Sequence, residues 1–310
     1  MDHAQTASGA LRTPEEKAAG SLTQVHYRTT AVEGIEIFYR EAGPEDAPVI
    51  LLLHGFPTSS HMFRDLIPRL AQHYRIIAPD YPGYGLSSAP QTTDFAYTFE
   101  NLADVIDRFT EALGLDSYAL YMQDFGGPVG LRLAVRHPER VRALIVQNAN
   151  AYEEGLSPAI DAARPAWERR TAETEAALRA LLTLETTRFQ FLHGARDPSL
   201  VSPDAWLHAQ AGLDRPGNEA IQLAYLHDYG SNPYQYPVWQ EYLRQHQPPT
   251  LVAWGRNDPF FTEAGAQAYR RDVADCELHL LETGHFALEE EAPTIACLIL
   301  DFLNRKLRPR

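Results

Sequence analysis

The sequence predicts an α/β fold in which a mostly parallel, eight-stranded sheet is flanked by helices. Uninterrupted apolar runs are typical of strands covered on both faces, and six occur in order: PVILLLH, YRIIAPD, YALYMQ, ALIVQN, PTLVAWG and CELHLL. Amphipathic stretches between them, such as residues 99–113 and 127–136, are long enough to be the crossover helices of parallel strands. Before the first run, VHYRTT and IEIFYR alternate apolar and polar residues, which predicts two antiparallel edge strands.

The alternation of strand and helix stops after Asn150, and a long segment follows before the next apolar run. We therefore expect a core domain of residues 24–151 and 247–310, with an inserted cap domain of residues 152–246. The early cap is rich in Ala, Leu, Glu and Arg and is predicted to be helical, whereas YLHDYGSNPYQYPVW predicts irregular segments that line a cavity. Residues 1–23 are polar and aperiodic, which predicts a disordered leader.

Charge and hydropathy exclude several classes of function. The net charge of -14 disfavours binding to nucleic acid and to anionic membrane surfaces. No apolar run is long enough to cross a bilayer, and the first residues lack the apolar centre of a signal peptide. We therefore expect a cytoplasmic protein.

Motifs for metal binding are absent from the sequence. It contains neither HExxH nor paired CxxC, so no metal and no cofactor are expected. Cys276 and Cys297 fall in apolar patterns and are predicted to be buried, inert thiols. The expected partners are a small apolar electrophilic substrate and water. A homodimer is one alternative for the oligomeric state.

The segment MQDFGG directly follows an apolar strand and directly precedes an amphipathic helix. This context is typical of a sharp strand-to-helix turn that presents its strained central residue as a nucleophile. That residue is Asp124, and Gly126 and Gly127 leave room where a Cβ would meet neighbouring backbone. We expect the dipole of the following helix to lower the pKa of Asp124. Met122 stands where such turns usually have a small residue, so the sequence alone does not determine the local geometry of the turn.

Two further loops supply partners for Asp124. LLLHGFP ends an apolar strand, and the backbone N–H groups of Phe56 and Phe125 are the candidate donors of an oxyanion hole. His285 lies in a loop after the last apolar strand, a position suited to a catalytic base. Asp258 follows PTLVAWG, where its carboxylate can accept a hydrogen bond from the imidazole and fix its tautomer.

An aspartate nucleophile restricts the chemistry. An ionised carboxylate can attack an electrophilic sp³ carbon without a base, and a covalent alkyl ester results. His285, oriented by Asp258, would then deprotonate a water that attacks the ester carbonyl and releases an alcohol. Attack on an ester or amide would instead give an anhydride, so an ordinary esterase or peptidase is disfavoured.

At these residues the chain resembles the haloalkane dehalogenase and epoxide hydrolase branch of the α/β-hydrolase superfamily, over residues 25–303. The segments that carry the resemblance are HGFPTSSHMFRDLIP, RIIAPDYPGYGLSS, QDFGGPVGLRLAVRHPERV, WGRNDPF and GHFALEE. The resemblance implies the α/β-hydrolase fold with a helical cap, with Asp124 as nucleophile, Asp258 as acid and His285 as base. Some members carry the acid after the preceding strand, where this chain has Asn148, an amide that cannot serve as that acid. Asn148 is instead a candidate for binding the substrate or donating a proton to it.

The residue after the nucleophile bears on the leaving group. Haloalkane dehalogenases carry a tryptophan there, whose indole N–H holds the halide, whereas this chain has Phe125. Epoxide hydrolases tolerate phenylalanine there and protonate the ring oxygen with cap tyrosines. Tyr225 is the best candidate for one of these tyrosines, and Tyr152 or Tyr229 would have to be the other.

We therefore predict hydrolysis of epoxides to vicinal diols through an ester of Asp124. Hydrolytic dehalogenation is the alternative, with Trp167 or Trp206 of the cap supplying the N–H that Phe125 lacks, although cap aromatic residues more often serve packing. A catalytically idle ligand-binding protein is a third hypothesis, because a fold alone does not establish a function.

Overall fold

The computed structural model describes residues 23–307. Its centre is one eight-stranded sheet, built from Val25–Val32 (β1), Ile35–Ala42 (β2), Val49–Leu53 (β3), Arg75–Pro79 (β4), Tyr118–Gln123 (β5), Val141–Gln147 (β6), Thr250–Gly255 (β7) and Cys276–Leu281 (β8). The strand order is β1-β2-β4-β3-β5-β6-β7-β8. The pairs β1/β2 and β2/β4 are antiparallel and the other pairs are parallel. The prediction of a mostly parallel, eight-stranded sheet is confirmed.

Both faces of the central strands are buried, which explains the uninterrupted apolar runs. In β5, Leu120 and Met122 belong to the core on one face, whereas Ala119 and Tyr121 belong to the core on the other. Successive side chains of a strand point to opposite faces, so a strand covered on both sides has few positions for a polar residue.

The described part of the chain contains twelve α-helices: Ile67–Leu70 (α1), Phe99–Ala112 (α2), Gly126–Arg136 (α3), Pro158–Asp161 (α4), Arg164–Glu168 (α5), Ala172–Ala180 (α6), Leu184–Leu192 (α7), Pro203–Leu213 (α8), Asn218–Asp228 (α9), Tyr236–His246 (α10), Glu263–Asp272 (α11) and Leu288–Lys306 (α12). The crossover helix α2 begins after Thr98, whose side chain caps the N–H of Asn101. Its buried residues Phe99, Leu102 and Ile106 follow the helical period.

The segment between β6 and β7 is helical, with α4 to α10 joined by turns. The expectation of irregular structure in YLHDYGSNPYQYPVW holds only for residues 229–235, which form two 3-10 turns. Helix α9 continues to Asp228, and α10 starts at Tyr236. Pro237 lies in the first turn of α10, where a proline interrupts no helical hydrogen bond, so the proline content did not prevent a helix. The division into core domain and cap domain stays a prediction.

Three other expectations concern the periphery of the molecule. The predicted leader, residues 1–23, lies outside the described residues except for Thr23. Cys276 is half-buried in β8, and burial raises the pKa of its thiol to about 12. The prediction of a buried thiol is wrong for Cys297, because this position on α12 faces solvent. No helix within residues 23–307 is long and apolar enough to span a membrane.

Candidate active site

The turn between β5 and α3 holds Asp124 in a left-handed backbone conformation, with φ of 50°. This region is unfavourable for residues other than glycine, although aspartate adopts it more readily than most. The turn is closed by a hydrogen bond of 2.9 Å from the N–H of Gly127 to the carbonyl of Asp124. A Cβ at Gly126 would overlap the carbonyl oxygen of Leu53, which explains the glycine at that position. The predicted strained turn is present.

Met122 fits into this turn because of a glycine on the neighbouring helix. A Cβ built at Gly130 of α3 would lie 2.5 Å from Sδ of Met122. Met122 itself is fully buried. The large side chain before the nucleophile is therefore accommodated by the absence of a side chain at Gly130, and the turn keeps its shape.

The carboxylate of Asp124 is anchored through one oxygen. The backbone N–H of Phe56 donates a hydrogen bond of 2.6 Å to Oδ1, while Oδ2 lies 3.8 Å from Nε2 of His285. Asp124 is only 8% exposed, so its charge is poorly solvated.

The pKa of Asp124 differs from the expectation. Burial raises it from the ordinary 3.8 to about 6, against the lowering effects of His285 and of the backbone N–H groups of Phe56 and Phe125. The expected lowering by the helix dipole is therefore wrong, because the loss of hydration outweighs the stabilising groups. The carboxylate still predominates at neutral pH.

His285 is oriented by Asp258. Its Nδ1 lies 2.7 Å from Oδ2 of Asp258, and Oδ1 of Asp258 accepts the backbone N–H of Phe260 at 2.7 Å. Burial alone would lower the pKa of His285, but the charges of Asp258 and Asp124 outweigh this effect and the pKa is raised. The acid therefore holds the imidazole with Nδ1 protonated and Nε2 directed toward Asp124.

Asn148 supports the acid instead of lining the cavity. Its Nδ2 donates to Oδ2 of Asp258 at 2.8 Å and to the carbonyl of Gly255 at 3.1 Å, and its Oδ1 accepts the N–H of Gly255 at 2.9 Å. Asn148 thus joins the ends of β6 and β7 and fixes the carboxylate that faces His285. Its expected role as a substrate-binding or proton-donating residue does not fit this position.

Gln123 also contacts the imidazole, a contact that no sequence motif indicated. Its Nε2 lies 3.0 Å from Nε2 of His285. An amide N–H can donate only to an unprotonated imidazole nitrogen, so this contact favours the tautomer that Asp258 also selects. His54, by contrast, is structural, because its Nε2 accepts the N–H of Tyr81 at 3.2 Å and its ring stacks on that of Tyr81.

A cavity of about 70 Å³ opens in front of Asp124 and His285. Most of its wall is apolar. The other residues that line it are Phe56, Phe125, Ala159, Ile160, Ala163, Trp167, Leu178, Leu181, Gln190, Leu226, Tyr229, Phe260 and Phe261. The lining suits a small apolar molecule with few polar groups.

The candidate residues of the predicted cap differ in whether they line the cavity. Trp167 and Tyr229 line the cavity, with ring centroids 5.6 Å apart. Tyr225 does not line it, since its ring packs behind Phe125 and its hydroxyl donates to the carbonyl of Pro82 at 3.2 Å. Tyr152 is also outside the lining and packs against Tyr269. Tyr225 and Tyr152 therefore do not have the access to substrate that was expected from the sequence.

Trp206, the other tryptophan considered as a halide donor, is also outside the cavity. Trp206 of α8 is partly buried against the core on the other face of the sheet. Among residues 23–307, no cluster of three or more His, Cys, Asp or Glu side chains has the arrangement of a metal site.

The chain matches a family model over most of its length. A model described as alpha/beta hydrolase fold matches residues 48–292, and the chain belongs to this family. An uncharacterized hydrolase of Saccharomyces cerevisiae is 40% identical to it over 268 residues, which are 85% of this chain and 92% of the relative.

More specific similarities lie within one branch of the superfamily. A haloalkane dehalogenase of Bradyrhizobium diazoefficiens is 38% identical over 145 residues, 47% of this chain and 42% of that protein. The crystal structure of haloalkane dehalogenase DbeA from Bradyrhizobium elkani aligns with a TM-score of 0.75 and 25% identity, over 92% of this chain and 99% of that chain. The chain is therefore a hydrolase of the haloalkane dehalogenase and epoxide hydrolase branch, which favours an enzyme over the idle ligand-binding hypothesis.

Proposed function

We propose that the protein hydrolyses small epoxides to vicinal diols through an ester of Asp124. The observation that carries the proposal is Tyr229, which lines the same cavity as Asp124 and His285. Burial raises the pKa of Tyr229 well above its usual range, and the neighbouring Tyr236 and the charge of Asp124 add to the rise. Tyr229 is therefore protonated at neutral pH, and its position in the cavity wall, rather than its acidity, is what suits it to protonate an opening epoxide oxygen.

The first step uses the free oxygen of Asp124. Oδ2 attacks a ring carbon, the carbon–oxygen bond of the epoxide breaks, and the ring oxygen takes the hydroxyl proton of Tyr229. Oδ1, which already accepts a hydrogen bond from the N–H of Phe56, becomes the carbonyl oxygen of the ester. The donor that holds the ground-state carboxylate is thus in place for the next step.

The second step hydrolyses the ester. Nε2 of His285 takes a proton from water, and the water oxygen adds to Cγ of Asp124. The N–H groups of Phe56 and Phe125 stabilise the oxyanion on Oδ1. When the intermediate collapses, the imidazolium protonates the departing alkoxide, and the proton left on the Asp124 carboxyl returns to the oxygen of Tyr229. The net reaction consumes one epoxide and one water and yields one diol.

A matched pair of tyrosine variants tests the proposal. Tyr229→Phe should lower kcat for epoxides by at least roughly 100-fold, since a positioned general acid typically contributes that much. Tyr225→Phe is the control, because it removes a buried hydroxyl of the same segment that does not reach the cavity. Diol formation without any difference between the two variants would contradict the role of Tyr229.

Hydrolytic dehalogenation is the second candidate, and one observation favours it. Trp167 lines the cavity and carries an indole N–H that can bind a halide. Phe125, directly after the nucleophile, offers no such donor. Halide release from bromoalkanes that is abolished in Trp167→Phe and kept in Tyr229→Phe would favour this activity over epoxide hydrolysis.

Mass spectrometry after turnover in ¹⁸O-labelled water tests the step common to both reactions. Label should enter the peptide that contains Asp124. Turnover with no label in this peptide would remove the ester mechanism.

A further inference from the structure

Gln147, the last residue of β6, donates a hydrogen bond to the backbone of the candidate base. Its Nε2 lies 3.0 Å from the carbonyl oxygen of His285, and both residues are buried. Within residues 23–307, no backbone N–H donates to this carbonyl, so Gln147 supplies its hydrogen bond. A buried carbonyl that loses its donor costs free energy, and the chain around it moves to regain a partner. The position of His285 in its loop therefore depends on Gln147.

Tyr121 of β5 fixes the orientation of this amide. Its hydroxyl donates to Oε1 of Gln147 at 2.6 Å. If the amide were reversed, its oxygen would face the carbonyl oxygen of His285, and two acceptors cannot form a hydrogen bond. Because β5 and β6 are neighbouring strands in the middle of the sheet, the series from Tyr121 through Gln147 attaches His285 to the most rigid part of the fold.

The next residue, Asn148, holds the acid in a corresponding way. Its Nδ2 donates to Oδ2 of Asp258, the same oxygen that lies next to Nδ1 of His285. Two consecutive amides at the end of β6 therefore hold the base through its backbone and the acid through its carboxylate. The hydrogen bond at Nδ1 fixes only one end of the imidazole. With the backbone fixed as well, Nε2 has a defined position next to Asp124.

We infer that Gln147 is a positioning residue for the second step of the reaction, the hydrolysis of the ester. Formation of the ester uses the carboxylate of Asp124 and does not involve the imidazole. Hydrolysis requires Nε2 of His285 to accept a proton from the water that attacks Cγ of Asp124. A displaced imidazole should therefore slow ester hydrolysis and leave ester formation unchanged. This inference rests on the ester mechanism of the proposed function.

Rapid-quench mass spectrometry, with the enzyme in excess over 1,2-epoxyhexane, separates the two steps. The ester adds the mass of the epoxide to the peptide that contains Asp124, so its formation and its decay are both observed. Gln147→Met keeps the length of the side chain but lacks the N–H. Its rate of ester hydrolysis should fall by about 10-fold or more, since a small misplacement of a catalytic group has effects of this order. Unchanged ester hydrolysis, or an equal loss in both steps, would overturn the inference.

Gln222→Met is the matched control. Gln222 of α9 is also fully buried, and its Nε2 donates to the carbonyl of Gly83 at 3.2 Å. Gly83 lies in the loop after β4 and does not line the cavity. The same substitution thus removes a buried hydrogen bond from a side chain to the backbone without altering the surroundings of His285, and both steps should keep their wild-type rates. A selective loss of ester hydrolysis in Gln222→Met as well would contradict the specific role of Gln147.

A double variant keeps the inference testable if Gln147→Met does not fold. In that variant the hydroxyl of Tyr121 loses its acceptor, and Tyr121→Phe/Gln147→Met removes the hydroxyl as well. Replacing both members of a hydrogen bond by apolar groups of similar shape is nearly neutral for stability. The double variant should show the selective loss of ester hydrolysis, whereas Tyr121→Phe alone keeps the donor to His285 and should not. Ester hydrolysis at the wild-type rate in the double variant, or the same loss in Tyr121→Phe, would refute the inference.

The failure of this inference is distinguishable from failure of the proposed function. If 1-bromohexane but not the epoxide forms the ester, the epoxide proposal fails, and both rates are measured with the bromoalkane. If the ester forms and Gln147→Met slows both steps equally or neither, the inference alone fails. If no ester forms with either substrate, the ester mechanism fails and the inference fails with it.

Discussion

Replacing Asp124 by asparagine should abolish turnover and make the protein more stable at pH 8. Burial raises the pKa of Asp124 from 3.8 to about 6. Each pKa unit corresponds to about 1.4 kcal/mol, so the charged carboxylate costs the folded state on the order of 3 kcal/mol. Asparagine has the same shape without the charge, adopts the left-handed backbone readily, and its Oδ1 can still accept the N–H of Phe56.

The sign of the pH dependence follows from the direction of the shift. Because the folded state holds the Asp124 proton more tightly than the unfolded state, the penalty is absent below about pH 4. It grows as the pH rises from 4 to 6 and is complete above about pH 6. The gain of Asp124→Asn should therefore be up to about 3 kcal/mol at pH 8 and should shrink toward pH 4.

Urea unfolding of both proteins at several pH values measures this difference. Asp258→Asn is the control, since that carboxylate accepts hydrogen bonds from His285, Asn148 and Phe260, and its loss should destabilise the protein at pH 8. If Asp124→Asn were no more stable than the wild type at pH 8, or if its gain did not depend on pH, the burial argument would be refuted.

Three further predictions concern the same region. The value of kcat/KM should fall about tenfold per pH unit below pH 6, as Asp124 is protonated, and a pH profile that is flat from pH 5 to 8 would contradict this. Gly130→Ala should cost roughly 1–3 kcal/mol through its clash with Met122, and Met122→Ala in the same chain should recover part of that cost in a double-mutant cycle of unfolding free energies. Asn148→Leu should lower the free energy of unfolding by at least roughly 1–3 kcal/mol, since both backbone groups of Gly255 lose a buried partner, and calorimetry measures this.

The sheet and the turn at Asp124 could be predicted from the sequence because their signals are local. An apolar run such as YALYMQ is a direct consequence of burial on both faces, and QDFGG carries the glycines that the turn requires. The structure brings Asp124, His285 and Asp258 together as the motif order suggested. In these segments, a few adjacent residues determine the geometry.

Which residues of the predicted cap reach the cavity could be predicted only in part, because this access depends on packing between helices. Tyr225 and Tyr229 are four residues apart and the sequence favours Tyr225, yet of the two only Tyr229 lies in the lining. The difference arises where α9 ends and a 3-10 turn begins. The amides of Gln123 and Gln147 carry no motif, and the upward shift of the Asp124 pKa depends on a burial that no local pattern specifies.

In the proposed reaction the two carboxylate oxygens of Asp124 have different roles, and this determines which oxygen atom each product molecule carries. Oδ1 accepts the N–H of Phe56, so in the proposed reaction Oδ2 leaves with the product in every cycle. An oxygen atom from water then takes the position of Oδ2. The first product molecule should carry an oxygen that came with the polypeptide, and each later product should carry the water oxygen of the cycle before it. A carboxylate free to rotate would mix its two oxygens and blur this one-cycle delay.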